Sequence, residues 1–346
     1  MRQKRKTEMC NNRDVMSFLD GKSIMITGIT GLIGKNIATE IINYNKDLSH
    51  KPVRIVGCVR NTGKAERIFD KDIPYLSYVV GDIRQIDLPQ SISVDYIIHT
   101  ASQTSSKGFV ENPLETIDVA LRGTEKLLEY AKTQPVKKFI YLSTMEVYGT
   151  FLDDSKVDES FPAHIDTMNP RACYPESKRM CESMCASYSS QYGIPVAVLR
   201  LTQTFGRGVE YNDGRVFAEF ARCAIENRDI VLLTKGLTKR NYLDVRDAVR
   251  AIMMVMSQDE TCAVYNVANE STYCSIMEMA HLVADEVCSG KISVIVNEDS
   301  SNEWGFAPTL HMNLDVTKLR SRGWKPQFSL RETFSDMISY MNERKA

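Results

Sequence analysis

The 346-residue chain has almost no net charge: 43 Lys and Arg against 44 Asp and Glu give a formal value of -1. A protein whose work depends on a strong overall field, such as nucleic-acid or anionic-membrane binding, is therefore not expected. The only basic cluster is Arg2-Gln3-Lys4-Arg5-Lys6, which reads as a solvated tail. Long apolar runs are also missing, so neither a secretory signal nor a transmembrane helix is expected. The 9 cysteines are odd in number and contain no Cys-x-x-Cys pair, and the 5 histidines do not cluster. Neither a zinc site nor a disulfide framework fits, and a reducing, cytoplasmic setting with no metal is the expectation.

What the sequence does have is alternation. Apolar strands are predicted at 23–27, 53–59, 76–80, 96–99, 138–143 and 195–200. Helices are predicted from the first glycine turn to about Tyr44, from about Pro113 to Ala131, and after Tyr174 to about Tyr192. Strands alternating with helices predict an α/β protein with a Rossmann-type, doubly wound parallel sheet, followed by a smaller C-terminal α/β part that binds substrate. The expected division is a leader over 1–20 with a short helix near its end and a dinucleotide-binding domain over 21–204 to which 236–268 returns. The substrate part is expected over 205–235 and 269–346. Methionines 253, 254 and 256 read as helix core, and His99, ending an apolar strand, as a packing residue.

Thr27-Gly28-Ile29-Thr30-Gly31-Leu32-Ile33-Gly34 lies between a strand and a helix with the spacing Gly-x-x-Gly-x-x-Gly. A tight turn, a close backbone approach and a helix N-terminus suit the pyrophosphate of a dinucleotide. The second strand ends Cys58-Val59-Arg60-Asn61, without the acid that takes the ribose hydroxyls of NAD. The expected cofactor is thus NAD(P), with Arg60 leaning towards NADP. Asp82, after the third strand, is placed to accept from an adenine amino group. Tyr174 and Lys178 are four apart on one helix and face the same way. A nearby ammonium favours the phenolate, so Tyr174 is expected to have a lowered pKa and to act as a base.

With Gly81-Asp82, His99-Thr100-Ala101-Ser102, Ser143-Thr144-Met145-Glu146-Val147-Tyr148-Gly149, Tyr174-x-x-x-Lys178, Arg240-Asn241-Tyr242-Leu243-Asp244-Val245 and Gly323-Trp324-Lys325-Pro326, the chain resembles the extended short-chain dehydrogenase/reductase family over about residues 21–335. Within that family Asn169-Pro170-Arg171-Ala172-Cys173-Tyr174 and Asn212-Asp213-Gly214-Arg215-Val216 look most like the UDP-glucuronate decarboxylases. The resemblance implies an enzyme that oxidises a nucleotide-diphosphate sugar at C4. Tyr174 would take the hydroxyl proton, Thr144 would hold the same hydroxyl, Lys178 would hold the nicotinamide ribose, and hydride would pass to the cofactor. Glu146 would handle protons near C5. The resemblance further assigns Ile83, Ala101 and Ser143 to the cofactor, Ser102 and Gln203 to the substrate, and Arg215 and Arg240 to its diphosphate. It also implies a homodimer in which helices 113–131 and 174–192 of two subunits form a four-helix bundle.

Five positions depart from the family pattern: Met145 precedes Glu146, Met312 stands three before Asp315, Gln203 and Ala120 replace asparagines, and the second-strand acid is missing. Two other readings therefore remain beside the epimerase, dehydratase or decarboxylase type. One is an NADPH-dependent 4-ketosugar reductase; the other is a non-catalytic NAD(P)-binding regulator.

Overall fold

A computed structural model describes residues 16–104, 106–297 and 309–345. The basic run Arg2 to Lys6 lies outside them. The expected leader helix is a single 3-10 turn, Ser17–Leu19. Its Met16 and Leu19 are buried and Phe18 packs edge-on against Tyr96, so the end of the expected leader is part of the fold.

The main sheet has seven strands in the order β11-β7-β5-β4-β1-β2-β3. These are β1 (Ser23–Thr27), β2 (Arg54–Val59), β3 (Leu76–Val80), β4 (Tyr96–His99), β5 (Lys138–Thr144), β7 (Val196–Leu201) and β11 (Cys262–Val267). β1 pairs in parallel with both β2 and β4, β2 with β3, and β4 with β5. All five residues of β1 and all seven of β5 are buried, which explains their unbroken apolar character where an alternating pattern would mark a half-exposed strand. The strand order reverses between β1 and β4. In such a sheet the crevice beyond the carboxyl ends of the strands opens at that reversal. Around the sheet lie α1 (Leu32–Tyr44), α2 (Thr62–Ile68), α3 (Ser106–Glu111), α4 (Pro113–Ala131) and α5 (Cys173–Tyr192). α4 and α5 pack on each other, with Thr124 donating to the Cys181 sulfur at 3.2 Å.

The chain divides into two compact units. The first comprises 1–147, 165–200 and 249–265, the second 148–164, 201–248 and 266–346. Segment 236–248, expected to return to the dinucleotide-binding domain, belongs to the second unit. The reason is strand pairing: β10 (Lys239–Asp244) is bonded to β8 (Gln203–Phe205), β12 (Asn269–Ser275) and β14 (His311–Leu314). Segment 148–164 joins the same unit because β6 (Lys156–Val157) pairs with β14. A second small sheet pairs β9 (Ile230–Leu232) with β13 (Val294–Val296).

Residues 206–215 form a loop without strand or helix, and α6 (Val216–Glu226) follows. Phe205, Phe217, Phe334 and Tyr242 make an aromatic core in this unit. α7 (Val245–Met256) contributes Asp247, whose buried carboxylate accepts the backbone N–H groups of Gln327 and Phe328. The Trp324 indole donates to the Asp247 carbonyl at 3.3 Å, so the Gly-Trp-Lys-Pro segment is a structural clip on the start of α7. The other helices here are α8 (Ile276–His281), running into a π-turn at Leu282–Val287, α9 (Thr317–Ser321) and α10 (Leu330–Lys345). No helix among the described residues is long and apolar enough to cross a membrane.

Candidate active site

Three glycines shape the turn after β1. Gly28 has φ +63°, and a side chain there would press within about 3 Å of Thr100 and Ala101. A Cβ on Gly34 would collide with the Gly28 carbonyl and reach 2.9 Å from the Ile29 Cα, so helix and turn touch backbone to backbone. At Gly31, the residue that starts α1, a Cβ would meet only the Gly28 carbonyl at 3.2 Å, and its outer side is exposed. No side chain caps α1 and no acid lies in its first turn. The amides at Leu32 and Ile33, with Thr30 on the turn before them, therefore form an N-terminal cradle suited to an anion.

The turn is latched to β4. The Thr100 hydroxyl donates to the Thr27 carbonyl at 2.6 Å, and the Ala101 amide donates to the Thr27 hydroxyl at 3.1 Å. His99 is buried between the hydroxyls of Thr27 (2.8 Å) and Thr124 (3.3 Å), and burial drops its pKa to about 3. It stays neutral and holds the strand ends, which is the packing role expected of it. Ser102 is half-buried and donates to the Gln103 carbonyl.

The cradle fits a dinucleotide at its phosphates; the groups beyond it are partly committed. Asp82 is forked by Arg84, which also reaches Asp118 at 3.0 Å. Those bonds hold the Asp82 carboxyl down at about 2, with a further contribution from the positive charge of Arg60. Arg60 is exposed. Ile83 covers Gly123 on α4, where a Cβ would touch it at 3.0 Å.

β5 ends in Ser143 and Thr144, and the chain then turns through Met145–Tyr148. The Ser143 hydroxyl donates to Glu182, which also takes a two-pronged contact from Arg200 at 2.7–3.2 Å. Glu182 was not singled out in the sequence, yet it lies one turn beyond Lys178 and two beyond Tyr174, and that spacing was the available signal. Thr144 lies beside the Tyr174 phenol and acts to lower its pKa, and its hydroxyl accepts the Glu146 amide at 3.3 Å.

The Tyr174 pKa departs from the sequence expectation. It is raised, first by burial and then by the Glu146 carboxylate, against opposing effects from Thr144 and Arg171. Lys178 does not pull it down, because its ammonium donates to the Leu142 carbonyl at 2.8 Å and lies 4.7 Å from the centre of the Tyr141 ring. Burial lowers the Lys178 pKa to about 8. Arg171, quoted in the sequence only as part of a motif, bonds the Glu146 carboxylate at 2.8 Å.

The remaining candidates lie in the second unit. Gln203 is on β8 and pairs in register with Tyr242. Arg215 precedes α6, is forked by Asp213 at 2.6–3.2 Å and lies over Phe217. Arg240 is on β10, level with Cys274 of β12 and Met312 of β14. Met312 is buried. No group of His, Cys, Asp or Glu among the described residues could hold a metal ion.

The model of the NAD dependent epimerase/dehydratase family matches residues 24–268, well over half of the chain. The chain belongs to this family. Among its relatives, UDP-glucuronic acid decarboxylase 1 of Xenopus tropicalis is 29% identical over 332 residues, covering 95% of this chain and 74% of that one. UDP-glucuronic acid decarboxylase 6 of Arabidopsis thaliana is 27% identical, with coverages of 92% and 89%. Family members with solved structures share the fold. A UDP-N-acetylglucosamine 4-epimerase from Methanobrevibacter ruminantium, in complex with UDP-N-acetylmuramic acid, superposes with a TM-score of 0.80 at 21% identity, covering 93% of this chain and 99% of that one. A dTDP-glucose 4,6-dehydratase from Streptomyces venezuelae, with NAD bound, gives 0.76 at 20% identity, covering 93% and 98%.

Proposed function

We propose that the protein is a nucleotide-sugar enzyme that oxidises its substrate at C4 while retaining a nicotinamide cofactor. The observation that carries this is the meeting of Thr144, at the carboxyl end of β5, with the buried Tyr174 phenol on the first turn of α5, with Lys178 one helical turn further on. A nicotinamide dinucleotide bound in the Gly28–Gly34 cradle supplies the hydride acceptor. Thr144 holds the sugar hydroxyl, and Tyr174 accepts its proton on the phenolic oxygen. Lys178, buried and with its ammonium at the Leu142 carbonyl near the end of β5, orients the ribose. Glu146 is the carboxylate available for a proton at C5. Gln203, Arg215 and Arg240 are the proposed substrate contacts, with the two guanidiniums for the diphosphate.

The decarboxylases named above act on a sugar acid. A second reading is a net 4-ketosugar reductase using NADPH, favoured by two observations. Met312, where the resemblance expects a carboxylate-binding arginine, is buried, and Arg60 lies where it adds positive charge near Asp82. An NADP preference through Arg60 belongs to this reading. If Arg60→Ala leaves the ratio of NADP to NAD affinity unchanged, that preference goes.

A homodimer through α4 and α5 is also proposed, since Leu114 and Met180 on these helices are exposed at 80% and 54%. A cytoplasmic setting is in keeping with the free, buried thiols of Cys181 and Cys185 on α5.

The deciding experiment offers the purified protein UDP-glucose, UDP-glucuronate, UDP-N-acetylglucosamine and dTDP-glucose, and, in a second arm, a nucleotide-linked 4-keto sugar with NADPH. Absorbance of reduced nicotinamide and product analysis are followed together. A recycled cofactor with an altered sugar is the expected result. Stoichiometric NADPH consumption with a 4-keto sugar supports the second reading. Unchanged sugars and cofactor throughout would overturn both.

A further inference from the structure

Tyr174 and Glu146 are held by two residues outside the Tyr-x-x-x-Lys pattern. The Phe109 ring, on α3, is buried and stacks on the Tyr174 ring with centroids 4.2 Å apart and planes 12° apart. The Arg171 guanidinium lies 4.7 Å from the centre of that same Phe109 ring and bonds Glu146 with its outer nitrogen at 2.8 Å. One side chain thus joins the aromatic stack on the tyrosine to the carboxylate beside it. Its backbone is fixed as well: Asn169 accepts the Arg171 amide at 3.0 Å, and Pro170 stands between them. The Cys173 thiol donates to the Phe109 carbonyl at 3.4 Å, tying α3 to the residue before Tyr174.

Magnitude argues against a purely stabilising purpose. The Arg171 and Glu146 side chains are 33% and 35% exposed, and an ion pair so accessible to water contributes about 1 kcal/mol or less. Its value lies in what it aims. Without Arg171 the Glu146 carboxylate would face the phenol with no cation against it.

We propose that Arg171, acting with Phe109, is a positioning residue that sets the orientation of Tyr174 and Glu146 and supplies the cation that balances Glu146 beside the phenol. This rests on the reading of Tyr174 as the base. The charged or titratable groups acting on the phenol are Glu146 from the turn after β5, Arg171 from the turn before α5 and Tyr141 from β5; the Thr144 hydroxyl lies beside it, and Lys178, on its own helix, turns its ammonium to the Leu142 carbonyl. Of these, Arg171 favours the phenolate and Glu146 opposes it.

The experiment compares the unmodified enzyme with Arg171→Gln, Arg171→Lys and Phe109→Leu, each loaded with NAD and given UDP-glucuronate as the probe in single turnovers across a pH series. Removing the cation raises the phenol's pKa, so in Arg171→Gln the limb where rate rises with pH should move upward by about one pH unit. Arg171→Lys should restore its position in part, since it returns the charge without the flat guanidinium face. Phe109→Leu should lower the rate severalfold with the limb in place. A limb in Arg171→Gln that coincides with the unmodified one overturns the proposal, whatever happens to the rate. Should the unmodified enzyme form no reduced nicotinamide, the parent reading fails for this probe. The crystal structure of Arg171→Gln with NAD then decides: a displaced Phe109 ring and Glu146 carboxylate support the positioning role, and an unmoved pair overturns it.

Discussion

Replacing Tyr174 with Phe removes one oxygen and leaves the ring that stacks on Phe109. Folding and dinucleotide binding should persist while turnover falls by about 10² to 10⁴, the range for loss of a general base. Formation of reduced nicotinamide at the unmodified rate would remove Tyr174 from the mechanism.

Lys178 offers a test that needs no substrate. Its folded pKa of about 8 lies below the ordinary 10.5, so between those values the unfolded chain holds more protons than the folded one. Stability must therefore rise with pH across that window and carry the full penalty below it. In the cofactor-free protein Lys178→Met should gain roughly 2 kcal/mol at neutral pH, and the gain should fade as the pH passes the ordinary lysine value. Urea unfolding at neutral and strongly alkaline pH reads this directly. The sequence placed Tyr174 and Lys178 on one helix face. It could not show that the ammonium turns to the Leu142 carbonyl, because that contact depends on a strand far away in the chain.

At the scale of elements, the glycine turn separates binding from folding. Gly31→Val projects outward and should fold normally while losing dinucleotide affinity by tenfold or more in calorimetry, an estimate of about 1.4 kcal/mol. Gly34→Ala drives a methyl into the Gly28 carbonyl and should cost about 1–3 kcal/mol of stability as well. Equal thermal shifts for the two variants would contradict this geometry. A second test is the clip of β5, α5 and β7. Glu182→Gln removes the carboxylate charge that meets the Arg200 guanidinium where both side chains are largely buried, and roughly 3 kcal/mol should be lost in denaturant titration.

Six of the seven strands of the main sheet were legible as short apolar runs between helices, most plainly β1 and β5, buried on both faces; β11, whose first residues are exposed or half-buried, was not read. α2 and α3, at seven and six residues, were not read from the sequence, since helices so short carry too few turns to show a period. The pairings of β6, β8 and β10 were equally hidden. β6 and β8, at two and three residues, give no pattern, and the partners of all three strands lie up to about 160 positions away. The candidate site divides the same way. The sequence reached residues tied to a local motif; Glu182 offered only its helical spacing, and the contacts of Phe109 and Arg171 required the folded chain.

For the whole molecule, the proposed dimer predicts a mass near twice 39.2 kDa by light scattering. Met180→Glu, placed on the exposed side of α5, should shift that mass towards the monomer with little change in helix content. An unchanged monomeric mass for the native protein would dismiss the bundle.

The chain passes between its two units five times, after residues 147, 164, 200, 248 and 265. No single cut separates them. Removal of the chain after 265 shortens the second unit alone, whereas a truncation at 164, 200 or 248 takes part of both, and exchanging the whole second unit for that of a relative would need five simultaneous junctions within one gene. Recombination that replaces the second unit entire must therefore cross the chain five times, while its last segment, 266–346, can be replaced at a single junction.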